Sequence, residues 1–234
     1  MLRVLNDSRA WVLFAALFSL TIVQSIYAES TTESQELVEK ARLTVESFLA
    51  DVNMTWLRNH IKDAKGIFVV PQLLKAAFFF GGSGGSGVLL VRDEKTGDWS
   101  DPAFYTLGGG SFGFQFGAQA SQVLLLVMTQ RGIESLLSTT FKLGADAAIA
   151  VGPVGAGMEG ASAVLSADLV SFAQSKGLFG GLSLEGAVIA VRNDLNIAYY
   201  GKEVRPAEIL ISRNVSNDQA AALRAAVAKA AGGR

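Results

Sequence analysis

Few residues of this chain have types and spacing that could do chemistry. Gly82-Ser83-Gly84-Gly85-Ser86-Gly87 satisfies the pattern G-x-G-x-x-G and follows an apolar stretch, the arrangement in which glycines let a backbone approach a pyrophosphate. That mechanism needs a helix to begin there, so that its first amides hold the phosphates. Val88-Leu89-Leu90-Val91 follows instead, and then a turn at Lys95-Thr96-Gly97-Asp98, so the run reads as a flexible connection between strands. The single histidine, His60, stands among helix-forming polar residues with no nucleophile motif nearby; it reads as a surface or helix-end residue and not as a member of a triad. Asp146, Asp168 and Glu185 fall near strand ends and could form a carboxylate pair of the glycosidase kind. Capping or ion pairing is the simpler role for each.

The sequence has no cysteine, which excludes disulfides, thiolate catalysis, thiolate-bound metals and a lipid anchor on cysteine. A zinc site would have to be built almost wholly from carboxylates, and no calcium-loop spacing of Asp and Asn is present. No catalytic residue, metal or cofactor is therefore expected. Lys plus Arg number 20 against 21 Asp plus Glu, with no basic run to neutralise phosphates, so nucleic acid is excluded as a partner. What remains is apolar bulk beside cations: Lys75 before Phe78-Phe79-Phe80, and Lys176 before Leu178-Phe179. Such pairs serve either as core strands ending in a solvated lysine or as a surface where rings reach the acyl boundary and ammonium groups meet phosphate.

The elements that would position these residues can be read from periodicity. Arg3 and Arg9 precede an apolar stretch from Trp11 to Val23 that closes at Ser25-Ile26-Tyr27-Ala28. This is the layout of a signal peptide cleaved after Ala28, shorter than the roughly 20 apolar residues of a membrane span. Residues 29–66 form a helical segment: Leu37, Ala41, Val45, Phe48, Leu49 and Val52 recur at helical spacing, and a second short helix through Trp56, Leu57 and Ile61 ends at Gly66. From 67 to 212 the period shortens to two, in a glycine-punctuated series of runs: Ile67–Val70, Ala77–Phe80, Gly87–Arg92, Ala103–Leu107, Ser111–Ala118, Val123–Met128, Ala147–Val151, Leu178–Leu184 and Gly186–Arg192. Phe112, Phe114 and Phe116 alternate cleanly and should share one face. Gly132–Ser138 reads as a short connecting helix, and residues 213–234 as a C-terminal helix capped by Ser216 and Gln219 and lying on the sheet. Gly87–Asp93 and Gly186–Arg192 echo each other, each a glycine, an apolar run and an arginine. The expected fold is α+β, mainly antiparallel β, with a barrel- or sandwich-like core and flanking N- and C-terminal helices.

Several stretches carry a more specific resemblance. Lys65-Gly66-Ile67 with Pro71, Trp99-Ser100-Asp101-Pro102-Ala103-Phe104, Lys142-Leu143-Gly144-Ala145-Asp146, Gly152-Pro153-Val154-Gly155, Ser175-Lys176-Gly177-Leu178-Phe179 continuing to Leu184-Glu185-Gly186, and Tyr199-Tyr200-Gly201 occur in an order that resembles the SYLF domain, from about Leu37 to Gly201. The resemblance implies binding of phosphoinositides and other anionic lipids, with actin binding in fungal members that also carry an SH3 domain. It transfers two cations, Lys65 and Lys176. Where many members have Ser-Arg-Ser-Lys, this chain has Ala173-Gln174-Ser175-Lys176, a lost cation that removes up to about 1 kcal/mol of attraction to an anionic surface. The expectation is a non-catalytic, periplasmic or secreted domain. Its lipid site would comprise Lys65, Lys75, Phe78, Phe79, Lys176, Leu178 and Phe179, with a self-associating envelope protein, a homo-oligomer, as the alternative.

Overall fold

The computed structural model describes residues 7–77, 80–112, 117–155, 164, 166–175, 178–180 and 184–232; for residues 7–28, 76, 77, 80, 81, 111, 112, 117, 118 and 178–180 it describes the backbone alone. Helix α1 spans Asp7–Ala50, running unbroken through Ala28, and is followed by α2 (Thr55–His60) and a 3-10 turn at Ile61–Asp63. The strands are β1 (Gly66–Ala77), β2 (Phe80–Val91), β3 (Ala103–Phe112), β4 (Gly117–Val127), β5 (Thr140–Lys142), β6 (Ile149–Val151), β7 (Leu169–Ser175), β8 (Leu178–Gly180) and β9 (Val188–Val191). Helix α3 (Gln130–Leu136) follows β4, and α4 (Asn193–Tyr200), α5 (Pro206–Leu210) and α6 (Ala221–Ala230) complete the chain. Among the described residues the strands make one curled sheet in the order β5-β9-β3-β2-β1-β4-β7-β6, with β8 paired to β7. Only the β6–β7 pair is parallel, so the expected mainly antiparallel α+β architecture is found.

Both faces of this sheet are covered. Successive side chains of a strand point to opposite sides, and Ile67, Val69, Leu124, Leu126 and Phe172 pack in one cluster with Val45, Phe48, Leu57, Leu223 and Val227 of the helices. Phe68, Val70, Leu125 and Tyr105 enter a second cluster with Ile133, Leu136, Phe141, Ile209 and Leu210. Two-sided burial accounts for the uninterrupted apolar runs such as Val123-Leu124-Leu125-Leu126-Val127, since neither parity faces water. On the outer face of α1, Glu36–Lys40 and Arg42 with Glu39 and Glu46 form ion pairs three and four residues apart.

The sheet corrects the expected run of strands: Ser111–Ala118 is divided between the end of β3 and the start of β4, β5 and β7 are additional, and three further differences bear on the site. Gly66 opens β1 and does not end a helix, which stops at Asp63; a β-carbon on it would lie 2.8 Å from Ile133 Cδ1. Ala77 and Phe80 are not one strand, but the end of β1 and the start of β2. Gly82–Gly87, expected as a connection, is the middle of β2, hydrogen-bonded to both β1 and β3.

The reason lies across the ladder. Between the pairs Val69–Val88 and Leu74–Gly84 the register shifts by one residue, a bulge on β1 that holds Pro71, which has no amide to give a central strand. The bulged backbone presses on β2: a β-carbon at Gly85 would stand 2.2 Å from the Gln72 carbonyl oxygen, and one at Gly87 2.6 Å from that of Val69. Glycine is required there by close approach and not by looseness.

The echoing segments prove to be β2 and β9, which flank β3 on its two sides. At the C-terminus the cap is Asn217, whose side chain accepts from the Gln219 amide, in place of the expected Ser216. Helix α6 packs against α1, so α1 stands where the sheet was expected to be its support. Phe112, Phe114 and Phe116 lie outside the residues whose side chains are described.

Candidate functional site

The antiparallel register brings three connections to one end of the sheet. Ala77 pairs with both Gly81 and Gly117, and Phe80 with Phe112. The links β1–β2 and β3–β4 therefore leave side by side. Ser175, at the end of β7, pairs with Ser121 of β4 and with Leu178 of β8. Lys176 belongs by sequence to that third link. Phe78, Phe79 and Lys176 lie outside the described residues, and Leu178 and Phe179 are described by their backbone alone in β8.

The described residues just inside this end include a cluster of polar side chains. Lys75 pairs with Ser83 and Gln119, Gln119 Nε2 donates to Ser175 Oγ at 2.7 Å, and the Ser121 and Ser175 hydroxyls hydrogen-bond to each other. Lys75, Ser83, Gln119, Ser121 and Glu185 line a hollow of about 80 Å³. Glu185 thus shares the hollow with the half-buried Lys75, leaving little excess charge among the described groups. Leu74, absent from the expected site, is 54% exposed beside Lys75. Its signal was Pro71, because the bulge shifts the alternation of every residue beyond it.

Lys65 does not belong to this surface. It precedes β1 at the opposite end, is ion-paired with Glu94, and stands about 33 Å from Lys75 at about 3.3 Å per residue of strand. The expected four-residue strand would have kept them close; the strand has twelve residues.

The carboxylates singled out in the sequence do not converge on an open site. Asp168 is buried and accepts from Thr129 Oγ1 (2.5 Å) and the Ala148 amide (2.9 Å), Asp146 accepts from the Lys142 amide, and Glu185 lies at the lysine hollow. His60 ends α2, its ring stacked on Trp56 at 4.0 Å and its Nδ1 2.8 Å from the Trp56 carbonyl oxygen. Among the described residues no helix is long and apolar enough to cross a membrane.

Comparison with known proteins adds the lineage. Residues 108–230 match the family model described as Ysc84, Las17-binding protein actin regulator. The chain is 33% identical over 157 residues to LAS seventeen-binding protein 3 of Saccharomyces cerevisiae, covering 65% of this chain and 34% of the yeast protein. It is 33% identical over 152 residues to the human SH3 domain-containing YSC84-like protein 1, covering 64% and 44%. To an SH3 domain-containing protein of Schizosaccharomyces pombe it is 34% identical over 165 residues, covering 69% and 38%. The chain thus spans between a third and less than half the length of these relatives. Its sheet from β3 onward, its closing helices and the SYLF-like stretches agree: this chain belongs to the Ysc84 family.

Proposed function

We propose that this chain is a non-catalytic, lipid-associating domain that meets an anionic membrane surface with the sheet end at Ala77, Gly117 and Ser175. The observation that carries the reading is a coincidence of topology and composition. Phe78, Phe79, Phe80, Phe112, Phe114, Phe116 and Phe179, half of the chain's 14 phenylalanines, fall on or within two residues of the three links at that end. A soluble protein keeps so many rings at its strand ends when they enter an apolar phase or a partner. Lys75 and Lys176 flank them, each adding up to about 1 kcal/mol of attraction to an anionic leaflet. With Glu185 beside Lys75 and glutamine at 174, the apolar contribution leads and charge selects the surface.

Export fits the same reading. Beyond Ala28, α1 packs on the rest of the fold, from Thr31, whose hydroxyl reaches the Ala198 carbonyl, to the buried Phe48, so these described contacts belong to the part that cleavage would leave in place. Cleavage near Ala28 would deliver the domain to the periplasm or the medium. The family's description as an actin regulator is a separate reading for this chain, which spans less than half the length of its relatives.

Flotation with vesicles tests the proposal. The purified chain is expected to float with anionic vesicles and less with neutral ones, and Phe79→Ser is expected to lose flotation while keeping its circular dichroism. Equal recovery from both vesicle types removes the role of charge, and recovery from neither sinks the proposal. Pelleting with actin filaments in place of flotation would move the chain to the other reading of its family.

A further inference from the structure

At the opposite end of the strands lies a second concavity, of about 650 Å³, between the β2–β3 connection and the C-terminal segment. Three guanidinium groups line it, Arg92, Arg213 and Arg224, against the two carboxylates of Asp98 and Asp101. Its walls hold them in place from several elements. Arg92 donates through Nε to the Gly97 carbonyl at 3.2 Å and through Nη1 to that of Lys62 at 2.5 Å. Arg213 Nη2 donates to the Asp98 carbonyl at 2.9 Å, reaching across 115 positions of sequence. Arg224 Nη1 lies 3.7 Å from Asp101 Oδ2, while Asp101 Oδ1 accepts from the Asn217 amide.

These bonds leave most of the guanidinium donors unused, since each group carries five. One of them, Arg224 Nε, is buried without a partner among the described residues, and so is one further donor, Nε1 of Trp99, a residue only 4% exposed. A buried N–H without an acceptor is uncommon and calls for a physical reason. The backbone supplies another irregularity, because Arg213 is the only non-glycine among the described residues with positive φ, at 54°. A left-handed arginine is disfavoured by its β-carbon, and such conformations gather where a side chain must be aimed.

The cavity therefore offers a surplus of donors, three guanidinium groups against two carboxylates on its lining with Asp93 and Asp218 nearby, and room for a small molecule. Its complement is a ligand made of acceptors. We propose that it binds a small soluble molecule carrying an oxyanion, a phosphate or carboxylate held by Arg213, Arg224 and Arg92, with an acceptor atom reaching the Trp99 indole. A lipid headgroup has the same chemistry. The soluble source is favoured because the cavity and the phenylalanine-rich end stand about 40 Å apart along β2, at about 3.3 Å per residue, so a bilayer at one cannot reach the other.

The test uses the indole N–H signals of the purified chain, those of Trp56 and Trp99, with Trp11 besides where residues 1–28 are retained, and Trp99→Phe identifies the Trp99 signal. Titration with pyrophosphate at constant ionic strength is expected to shift the Trp99 signal saturably. Arg213→Gly is the informative variant. It suits the left-handed backbone, so the melting temperature should hold or rise, while pyrophosphate binding weakens by about tenfold or more with the loss of a charge-assisted contact. If that variant does not fold, Arg224→Gln is expected to show the same loss. No saturable shift, an equal shift with sodium chloride, or undiminished binding in the folded variants would overturn the proposal. A Trp99 shift with anionic vesicles but none with pyrophosphate would overturn it as well, in favour of a headgroup site.

Discussion

At Gly85 a β-carbon would meet the Gln72 carbonyl oxygen at 2.2 Å and Val70 Cγ1 at 3.0 Å, whereas at Gly84 nothing lies within 4 Å. Gly85→Ala is accordingly expected to lower stability in urea unfolding by about 1–3 kcal/mol, the usual cost of overpacking. Gly84→Ala should stay within about 1 kcal/mol and can gain from a stiffer unfolded chain. Equal effects at the two positions would refute close packing as the reason for glycine. Asp168 poses a sharper test of role. One carboxylate oxygen serves Thr129, the N-cap of α3, and the other the Ala148 amide, so asparagine, with a single acceptor oxygen, can keep only one of these two acceptor contacts. Asp168→Asn should cost about 1–3 kcal/mol, the range for leaving a buried polar group unsatisfied. A melting curve identical to that of the parent would mean that Asp168 had been free for other work.

Besides the two apolar clusters, polar groups at element ends tie the elements to one another, and Arg192 is the clearest case. It donates to Asp194 at the start of α4, to Ser86 of β2 at 3.0 Å and to Glu33 of α1 at 3.5 Å. The hydrogen bond from this guanidinium, above all, holds the Asp194 carboxyl below its usual value of 3.8. The sign follows: a carboxyl lowered in the folded state adds stability above pH 3.8, and that stability is lost as the pH falls through the folded value. Asp194 is more than half exposed, so the effect is small. Asp194→Asn should lower the urea midpoint at neutral pH, and the gap from the parent should close well below pH 3.8. A gap that persists in acid would be one of packing and not of charge.

The same scale shows how far the sequence could be read. Helix α1 from Ser34 onward and the apolar parts of β2, β3 and β4, Gly87–Val91, Ala103–Leu107 and Val123–Val127, were legible because period and composition agreed there, whereas the glycine-rich half of β2 was not. Strand β7 was not, since Ser171 interrupts it; the structure turns that serine to the Ala150 carbonyl of its parallel neighbour. Helix α4 was hidden by Asn196, which is fully buried and completes the β3 ladder through Phe104, a tertiary role with no local signature. Tyr199-Tyr200-Gly201 could be recognised only as a motif; in the fold it is the end of that helix, with Gly201 in the left-handed cap at φ 70°. The separation of Lys65 from Lys75 was not legible, because a bulged strand containing proline reads as two short pieces, which conceals its length.

For the whole molecule the decisive quantity is that length, since it separates two ends of different chemistry. Lys75→Glu is expected to weaken flotation with anionic vesicles by several-fold, whereas Lys65→Gln, paired with Glu94 at the other end, should leave it unchanged. Equal losses from the two substitutions would mean that the membrane meets the flank of the sheet and not its end. Lys176→Glu should behave like Lys75→Glu with its fold intact, and unfolding by circular dichroism would assign Lys176 a structural role instead.

Burial of the sheet on both sides has a consequence for how such a chain can change. With its broad surfaces committed to the interior, novelty is confined to the loops at either pole, and the rigid strands insulate one pole from the other. Residues 113–116 could be exchanged for a polar tetrapeptide without moving the indole resonance of Trp99, which makes the domain a spacer whose two tips can be redesigned, or can drift, separately.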